Sequence, residues 1–235
     1  MLKKILLSLV VGVTVLALGG WLVLRHHGEA VLEPDYWEAE IQAFEEADAG
    51  APPQGRIVFT GSSSIRFWEN LEADMAPLAV LNRGFGGAHM SHVLHNAERL
   101  VTAYAPRALV LYVGDNDIGA GKSPETVAAD FVDLVDRVRS HQPELPIYFI
   151  TIKPSRLRWD LWPTMAEANA RIARLAVVDP NLFLLDISRP MLDLGRGEAP
   201  PEDLFWLDGL HLTEAGYAIW TEVVRPRLLA DLGAG

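Results

Sequence analysis

The sequence contains no cysteine. The protein therefore cannot form a disulfide, hold zinc through thiolates, use a thiol nucleophile or carry a lipid on an N-terminal cysteine. Any catalysis must rest on oxygen and nitrogen groups.

Basic residues are also in the minority, with 20 Lys and Arg against 31 Asp and Glu. Because such an acidic chain disfavours binding to phosphates, we expect no nucleic-acid partner.

Charged residues are absent from Ile5 to Leu24. A helix of about 20 residues reaches roughly 30 Å, the thickness of the hydrocarbon core of a bilayer. Residues 1–24 are therefore either a membrane span or a secretory signal, and Trp21 near the far end favours an uncleaved span. Since Lys3 and Lys4 would hold the N-terminus in the cytoplasm, we expect a single-pass protein of the cell membrane whose body is extracytoplasmic. Secretion after signal cleavage is the alternative.

The rest of the chain has the pattern of one α/β domain. Residues 25–55 predict a linker and a helix, and residues 56–235 predict a single globular domain. Continuous apolar runs alternate there with segments of helical period, which favours a parallel sheet covered on both faces. The predicted strands are 57–60, 78–81, 108–113, 147–152 and 182–186, and the predicted helices are near 35–48, 64–71, 90–103, 124–140, 165–177 and 214–232. Residues 153–163 and 190–206 are the least regular stretches.

Four polar segments follow predicted strands or precede the last helix. They are Gly61-Ser62-Ser63-Ser64, Asn82-Arg83-Gly84-Phe85-Gly86-Gly87, Gly114-Asp115-Asn116-Asp117 and Asp208-Gly209-Leu210-His211. Ligands of open parallel sheets bind beyond the carboxyl ends of the strands. Acyl transfer requires a nucleophile, a base, an orienting acid and donors for an oxyanion, and these segments offer all four. An acid three residues before a histidine can also fix the histidine tautomer.

In these residues the chain resembles the SGNH or GDSL hydrolases over about residues 56–232. Ser63 matches the serine of the first family block, Gly87 the glycine of the second, Asn116 the asparagine of the third, and Asp208 with His211 the D-x-x-H pair of the last. The resemblance implies a flavodoxin-like three-layer α/β/α sandwich with a parallel sheet of about five strands. It also implies hydrolysis of esters or thioesters, without a metal or another cofactor.

The resemblance further implies a role for each matching residue. Ser63 would attack the acyl carbon, His211 would act as the base, and Asp208 would orient the imidazole. The oxyanion hole would consist of the backbone N–H groups of Ser63 and Gly87 and the side chain of Asn116.

The chain departs from the family pattern at two positions. Ser62 replaces the usual aspartate of the first block, as in a Gly-Ser-Ser-Ser branch, and Ala88 stands where aspartate often follows the block-two glycine. We expect that some hydrogen bonds around the oxyanion hole differ as a result.

Other interpretations of the residues stay open. An α/β-hydrolase elbow is disfavoured because Ile65 occupies its last glycine position. A metal-dependent phosphoesterase would use Asp115, Asp117 and the histidine row His89, His92 and His95, and a catalytically silent, membrane-tethered binding module would keep only the fold. The aromatic residues of 153–163 fit either a lid suited to lipid or ordinary packing.

Short-chain esters, acetylated carbohydrate, lysophospholipid and thioesters all remain open as substrates, and the oligomeric state is not predicted.

Overall fold

The structure is a computed structural model that describes residues 33–233. The pattern of contacts divides the chain into two compact units, the first ending at Tyr36 and the second comprising Trp37–Gly235. The sheet belongs to the second unit. In the short described part of the first unit, the Tyr36 N–H donates to the Glu33 carbonyl at 3.1 Å. The predicted hydrophobic N-terminal helix lies outside the described residues. Between residues 33 and 233, no helix has both the length and the apolar character needed to cross a membrane.

Five parallel strands form one sheet. They are β1 (Ile57–Gly61), β2 (Val80–Gly84), β3 (Ala108–Tyr112), β4 (Ile147–Ile150) and β5 (Leu182–Leu185). The spatial order is β2-β1-β3-β4-β5, and every neighbouring pair is parallel. Since the chain moves to one side of β1 for β2 and to the other for β3, the order reverses at β1. The predicted five-stranded parallel sheet is confirmed.

Helices cover both faces of the sheet. They are α1 (Glu38–Ala47), α2 (Ser63–Arg66), α3 (Leu71–Asp74), α4 (Met90–His95), α5 (Ala97–Leu100), α6 (Asp115–Gly119), α7 (Pro124–Arg139), α8 (Trp162–Val178), α9 (Ser188–Gly195) and α10 (Glu214–Leu232), with 3₁₀ turns at Pro34–Trp37, Thr102–Tyr104, Trp159–Leu161 and Glu202–Leu204. One buried cluster joins α1, α4, α5, α6, α7 and α8 to one face of the sheet. A second cluster joins α2, α3, α9 and α10 to the other face. The three-layer α/β/α architecture is therefore confirmed.

The two clusters follow from the alternation of side chains along each strand. Leu109 and Leu111 of β3 point into the first cluster, whereas Ala108, Val110 and Tyr112 point into the second. All five residues are fully buried. The continuous apolar runs of the sequence therefore correspond to strands with helices on both sides.

The second strand begins and ends later than the predicted 78–81. It continues through Asn82 and Arg83 to Gly84 because tertiary contacts satisfy both polar side chains. Asn82 Nδ2 donates to the Ile65 carbonyl at 2.7 Å. Arg83 Nη2 donates to Asp48 at 2.6 Å, so the C-cap residue of α1 pairs with a strand of the sheet. These partners are distant in sequence, and the local pattern therefore does not predict the extension.

Short helices also occupy stretches that the sequence leaves irregular. The α6 helix consists of the polar sequence DNDIG, which lacks an apolar period, and only Val113 and Gly114 separate it from β3. The two stretches predicted to be least regular contain most of α9 and the start of α8. The expectation of irregular loops there is therefore wrong in part, because the helices pack against the sheet through only a few buried residues each.

Candidate active site

A close approach between two backbones fixes the turn that presents the serines. Gly61 has φ +128°, and a Cβ there would lie 1.9 Å from the Tyr112 carbonyl oxygen. Only glycine fits this position. The Ser62 N–H then donates to the same carbonyl at 2.9 Å, and α2 begins at Ser63. As a result Ser62 and Ser64 are buried, while Ser63 stays half-exposed at the carboxyl edge of the sheet.

The predicted serine, histidine and aspartate form a continuous hydrogen-bonded chain. Ser63 Oγ lies 2.9 Å from His211 Nε2, and His211 Nδ1 lies 2.6 Å from Asp208 Oδ2. The backbone of the same turn holds the carboxylate, since its Oδ1 accepts from the N–H groups of Leu210 at 2.8 Å and His211 at 3.0 Å. The D-x-x-H spacing thus folds into a local turn that fixes acid and imidazole together. Their catalytic roles stay predictions.

The contacts of Asp208 keep its carboxyl ionised. Partial burial acts to raise the pKa of the Asp208 carboxyl, but the bonds from the His211 ring and from two backbone N–H groups outweigh it and hold that pKa below its ordinary value. An ionised carboxylate accepts the Nδ1 proton of a neutral imidazole. The Nε2 lone pair then faces the Ser63 hydroxyl, as proton abstraction requires.

Aromatic side chains flank the histidine. The rings of Phe67 and Trp206 lie 5.0 and 5.5 Å from the His211 ring, and 5.1 Å from each other. Both also line a cavity of about 350 Å³ that extends to Tyr217. The Tyr217 hydroxyl donates to the Ser64 carbonyl at 2.9 Å, so α10 supports the turn behind the serines. Phe67 and Trp206 therefore restrict rotation of the His211 imidazole ring and border the cavity beside it.

Two of the predicted oxyanion donors, Gly87 and Asn116, lie close together beyond the ends of β2 and β3. A Cβ on Gly87 would lie 3.9 Å from Asn116 Nδ2, and that nitrogen donates to the Ala88 carbonyl at 3.1 Å. A primary amide carries two N–H groups, so the second remains available for a ligand. At Gly86 a Cβ would lie 2.0 Å from the Trp37 indole, and the indole therefore packs directly on the loop backbone.

We expect Asn116→Ala to lower kcat roughly 100- to 1000-fold with little change in KM, because a neutral oxyanion donor acts mainly in the transition state. Steady-state hydrolysis of p-nitrophenyl acetate measures both constants. The control is Asn181→Ala, whose amide donates to Glu144 on the surface and whose loss should leave both constants unchanged. An Asn116→Ala variant in which KM changes while kcat does not would contradict the assignment of Asn116 as an oxyanion donor.

Sequence reasoning missed a buried lysine beside the site. Lys153 follows β4 at the same sheet edge, and its Nζ donates to Ser64 Oγ at 3.1 Å, Tyr112 OH at 3.0 Å and Asp115 Oδ2 at 3.2 Å. Burial lowers the pKa of the ammonium, although the Asp115 charge opposes that shift. The available signal was a single lysine directly after an apolar strand, which the pattern placed at the start of an irregular stretch.

Two residues of the histidine row, His89 and His92, form a helix cap. The His89 N–H donates to His92 Nδ1 at 3.0 Å at the start of α4, His89 Nδ1 lies 3.5 Å from Asp117 Oδ1, and His95 is exposed. Among residues 33–233, no three His, Asp or Glu side chains are grouped to hold a metal ion. Thr213 caps α10 by accepting from the Gly216 N–H.

Asp117 is a fully buried carboxylate that holds the helix after the glycine loop. It accepts from the Met90 N–H at 3.0 and 3.2 Å and pairs with Lys122 Nζ at 2.9 Å. Burial acts to raise its pKa, but the His89 contact and the Lys122 charge outweigh burial and lower it. A lowered native pKa adds stability above the unfolded value, about 3.9, that is lost as the pH falls through the native pKa.

We therefore expect Asp117→Asn to lower the free energy of unfolding at pH 7 by about 2 kcal/mol. As the pH is lowered from 5, the free energy of unfolding of the variant should also fall less than that of the parent. Urea unfolding at a series of pH values measures both effects. Asp133→Asn, at an exposed position of α7, is the matched control, and an equal effect there would contradict the specific role of Asp117.

Comparison with known proteins places this arrangement in context. The family model described as the GDSL-like lipase/acylhydrolase family matches residues 49–219. A GDSL-like lipase from Bacteroides thetaiotaomicron is 18% identical, covers 82% of this chain and 98% of its own, and superposes with a TM-score of 0.71. A protein from Streptococcus pneumoniae is 19% identical, with 92% and 99% coverage and a TM-score of 0.72. A lipase/acylhydrolase from Enterococcus faecalis is 17% identical, with 75% and 96% coverage and a TM-score of 0.59. No curated protein matches the chain.

Proposed function

The chain belongs to the GDSL-like lipase/acylhydrolase family and is therefore a hydrolase that acts on esters, and from that premise we propose that it works through an acyl-enzyme on Ser63. The observation that carries the proposal is the chain of hydrogen bonds from Ser63 through His211 to Asp208, at 2.9 and 2.6 Å. These distances lie in the range that nucleophilic catalysis by serine requires.

The geometry supports a two-step reaction. Ser63 Oγ attacks the acyl carbon as His211 Nε2 takes its proton, and Asp208 stabilises the imidazolium. The oxyanion is held by the Ser63 and Gly87 N–H groups and by Asn116 Nδ2. His211 then protonates the departing alcohol or thiol, which leaves an acyl group on Ser63. Water attacks this ester as His211 Nε2 takes its proton, and His211 then returns that proton to Ser63 Oγ as the acid product leaves.

The surroundings of the triad favour a substrate with an apolar part. Leu157, Trp206 and Leu207 are exposed, and the Leu157 N–H donates to the Gly209 carbonyl within the turn that carries Asp208 and His211. The cavity bordered by Phe67 and Trp206 lies beside the same turn. We therefore propose small acylated, lipid or acetylated carbohydrate esters as the substrate class, with an apolar group of the substrate against this rim.

The membrane tether is a further part of the proposal. It rests on the uncharged segment Ile5–Leu24 and its flanking lysines, and it places the hydrolase domain on the extracytoplasmic side of the membrane. Protease treatment of intact cells that carry the full chain tests the orientation. Degradation of the domain from outside is expected, whereas protection in intact cells would contradict it.

The phosphoesterase alternative fits the contacts less well. Asp115 lies between Lys153 and Arg158, and Asp117 is paired with Lys122. Both carboxylates are thus neutralised by cationic side chains rather than facing the site as ligands for a cation. A catalytically silent binding module would retain the same fold without the reaction.

The deciding experiment is labelling with a fluorophosphonate probe, followed by hydrolysis of p-nitrophenyl esters of increasing acyl length. We expect labelling of the wild type, none of Ser63→Ala, and hydrolysis that is insensitive to chelators. Folded wild-type protein that neither labels nor hydrolyses any ester would favour the silent module. Activity that appears only with added metal would favour the phosphoesterase.

A further inference from the structure

The orientation of one amide group decides whether Asn116 can serve as an oxyanion donor. Rotation of the amide by 180° would exchange its nitrogen and oxygen and present an acceptor where a donor is needed. In the structure Nδ2 donates to the Ala88 carbonyl at 3.1 Å, and Oδ1 accepts from Arg158 Nη2 at 2.9 Å. The rotated amide would set oxygen against the Ala88 carbonyl and nitrogen against the guanidinium, and both contacts would be repulsive. The two partners therefore select the same orientation.

Arg158 is itself held in place. Its Nη1 lies 3.4 Å from Asp115 Oδ2, and the same oxygen accepts from Lys153 at 3.2 Å. Exposure of the Arg158 side chain is 19%, while that of Asp115 is 5% and that of Lys153 is 0%. Lys153 in turn donates to the hydroxyl of Ser64, the residue after the nucleophile. A buried network thus connects the serine turn after β1 with the amide after β3.

We propose that Arg158 is a positioning residue that holds the Asn116 amide with its free N–H directed at the oxyanion. The inference rests on the proposed function, since it assigns a partner to the proposed oxyanion hole. A hydrogen bond from a charged donor is stronger than one from a neutral donor. The guanidinium also withdraws electron density from Oδ1 and so polarises the N–H groups of the same amide. Arg158 acts through Asn116 and does not touch the substrate.

The test is a double-mutant cycle on the full chain, measured as kcat and KM for p-nitrophenyl acetate. Arg158→Gln should lower kcat roughly 10- to 30-fold, less than the loss of the donor itself, with KM changed less than about threefold. In the Asn116→Ala background the same change should have almost no further effect, because a residue that acts through Asn116 has nothing left to position. A merely structural role would lower activity equally in both backgrounds.

The matched control is Arg156→Gln, two residues earlier in the same loop. Its guanidinium donates to the Pro200 carbonyl at 3.2 Å, and its replacement should leave kcat unchanged. Thermal unfolding of Arg158→Gln and Arg156→Gln distinguishes a loss of the fold from a loss of the position of the Asn116 amide. Arg158→Lys should recover only part of the activity, since an ammonium lacks the fork that reaches Asn116 and Asp115 together.

A second variant displaces Arg158 without replacing it. A Cβ at Gly119 would lie 3.0 Å from Arg158 Cζ and 3.2 Å from Nη2, so Gly119→Ala must shift the guanidinium by a few tenths of an ångström. The change places a better helix former at the end of α6. We expect a kcat decrease that disappears in the Asn116→Ala background. Should Arg158→Gln fail to fold, Gly119→Ala decides the question.

The outcomes separate the two proposals. Wild-type protein that labels and hydrolyses esters, together with full kcat in a folded Arg158→Gln variant, overturns the inference and leaves the proposed function intact. Additive losses in the Arg158 and Asn116 cycle also overturn it. Wild-type protein that neither labels nor hydrolyses overturns the proposed function, and with it the inference.

Discussion

Ser63→Ala is expected to lower kcat for ester hydrolysis roughly 10⁴- to 10⁶-fold, because serine hydrolases that lose the nucleophile keep only the residual catalysis of binding and the oxyanion hole. The hydroxyl lies 2.9 Å from His211 Nε2, and the replacement removes it with a minimal change of volume. The loss should appear in kcat, and covalent labelling by a fluorophosphonate should vanish in the same variant. Unchanged thermal unfolding would show that the loss is chemical.

The neighbouring serines supply the matched controls. Ser62 Oγ is buried and has no hydrogen-bond partner among the described residues, so Ser62→Ala should keep activity and leave stability unchanged or slightly higher. Ser64 Oγ accepts from Lys153, and its loss should cost stability and part of the activity. If Ser63→Ala stays active while Ser62→Ala or Ser64→Ala is inactive, the nucleophile has been assigned to the wrong serine.

Asp208→Asn should lower kcat roughly 10³- to 10⁴-fold. The asparagine oxygen can still accept from the Leu210 and His211 backbone N–H groups, so the turn should persist. Its amide nitrogen would then face His211 Nδ1 and favour the tautomer with hydrogen on Nε2. That tautomer cannot take the Ser63 proton, and kcat falls although every neighbouring atom keeps its place.

Kinetics with a p-nitrophenyl ester measure this effect, and the rate of fluorophosphonate labelling should fall in parallel. The control is Asp203→Asn in the nearby Glu202–Leu204 turn, where the contact of Asp203 within residues 33–233 is made by its backbone carbonyl, which accepts from Thr213 Oγ1 at 2.7 Å. Asp203→Asn should leave kcat unchanged. An Asp208→Asn variant that retains activity within about tenfold of the parent would mean that another group orients His211.

The sheet and the pairing of Asp208 with His211 were accessible from the sequence because both depend on short-range signals. Strands such as Ala108–Tyr112 are buried on both sides, and their uninterrupted apolar runs show this directly. The candidate acid and base lie three residues apart, so the hydrogen bond between Asp208 and His211 forms within one turn. The position of Ser63 beside them required the family resemblance, since 148 residues separate Ser63 from His211.

The supporting network was not accessible because its signals are long-range. Lys153 and Arg158 have no repeated spacing, and a cation in a loop is ordinarily solvated. Their importance arises only when β3 and β4 pair and bring Asp115 beside both cations. The extension of β2 was not predicted for the same reason, because Arg83 is tolerated in a buried strand through its distant partner Asp48.

The packing of Trp37 on Gly86 bears on where a recombinant fragment can begin. A fragment that starts at residue 56, the predicted domain boundary, would keep every strand and every candidate catalytic residue. It would nevertheless leave bare the backbone that the indole covers, next to Gly87, and would remove Ile41 from the core and Asp48 from buried Arg83. An assay of such a fragment would measure a hydrolase whose Gly86–Gly87 loop had lost its packing partner, so expression designs should retain the chain from before Trp37.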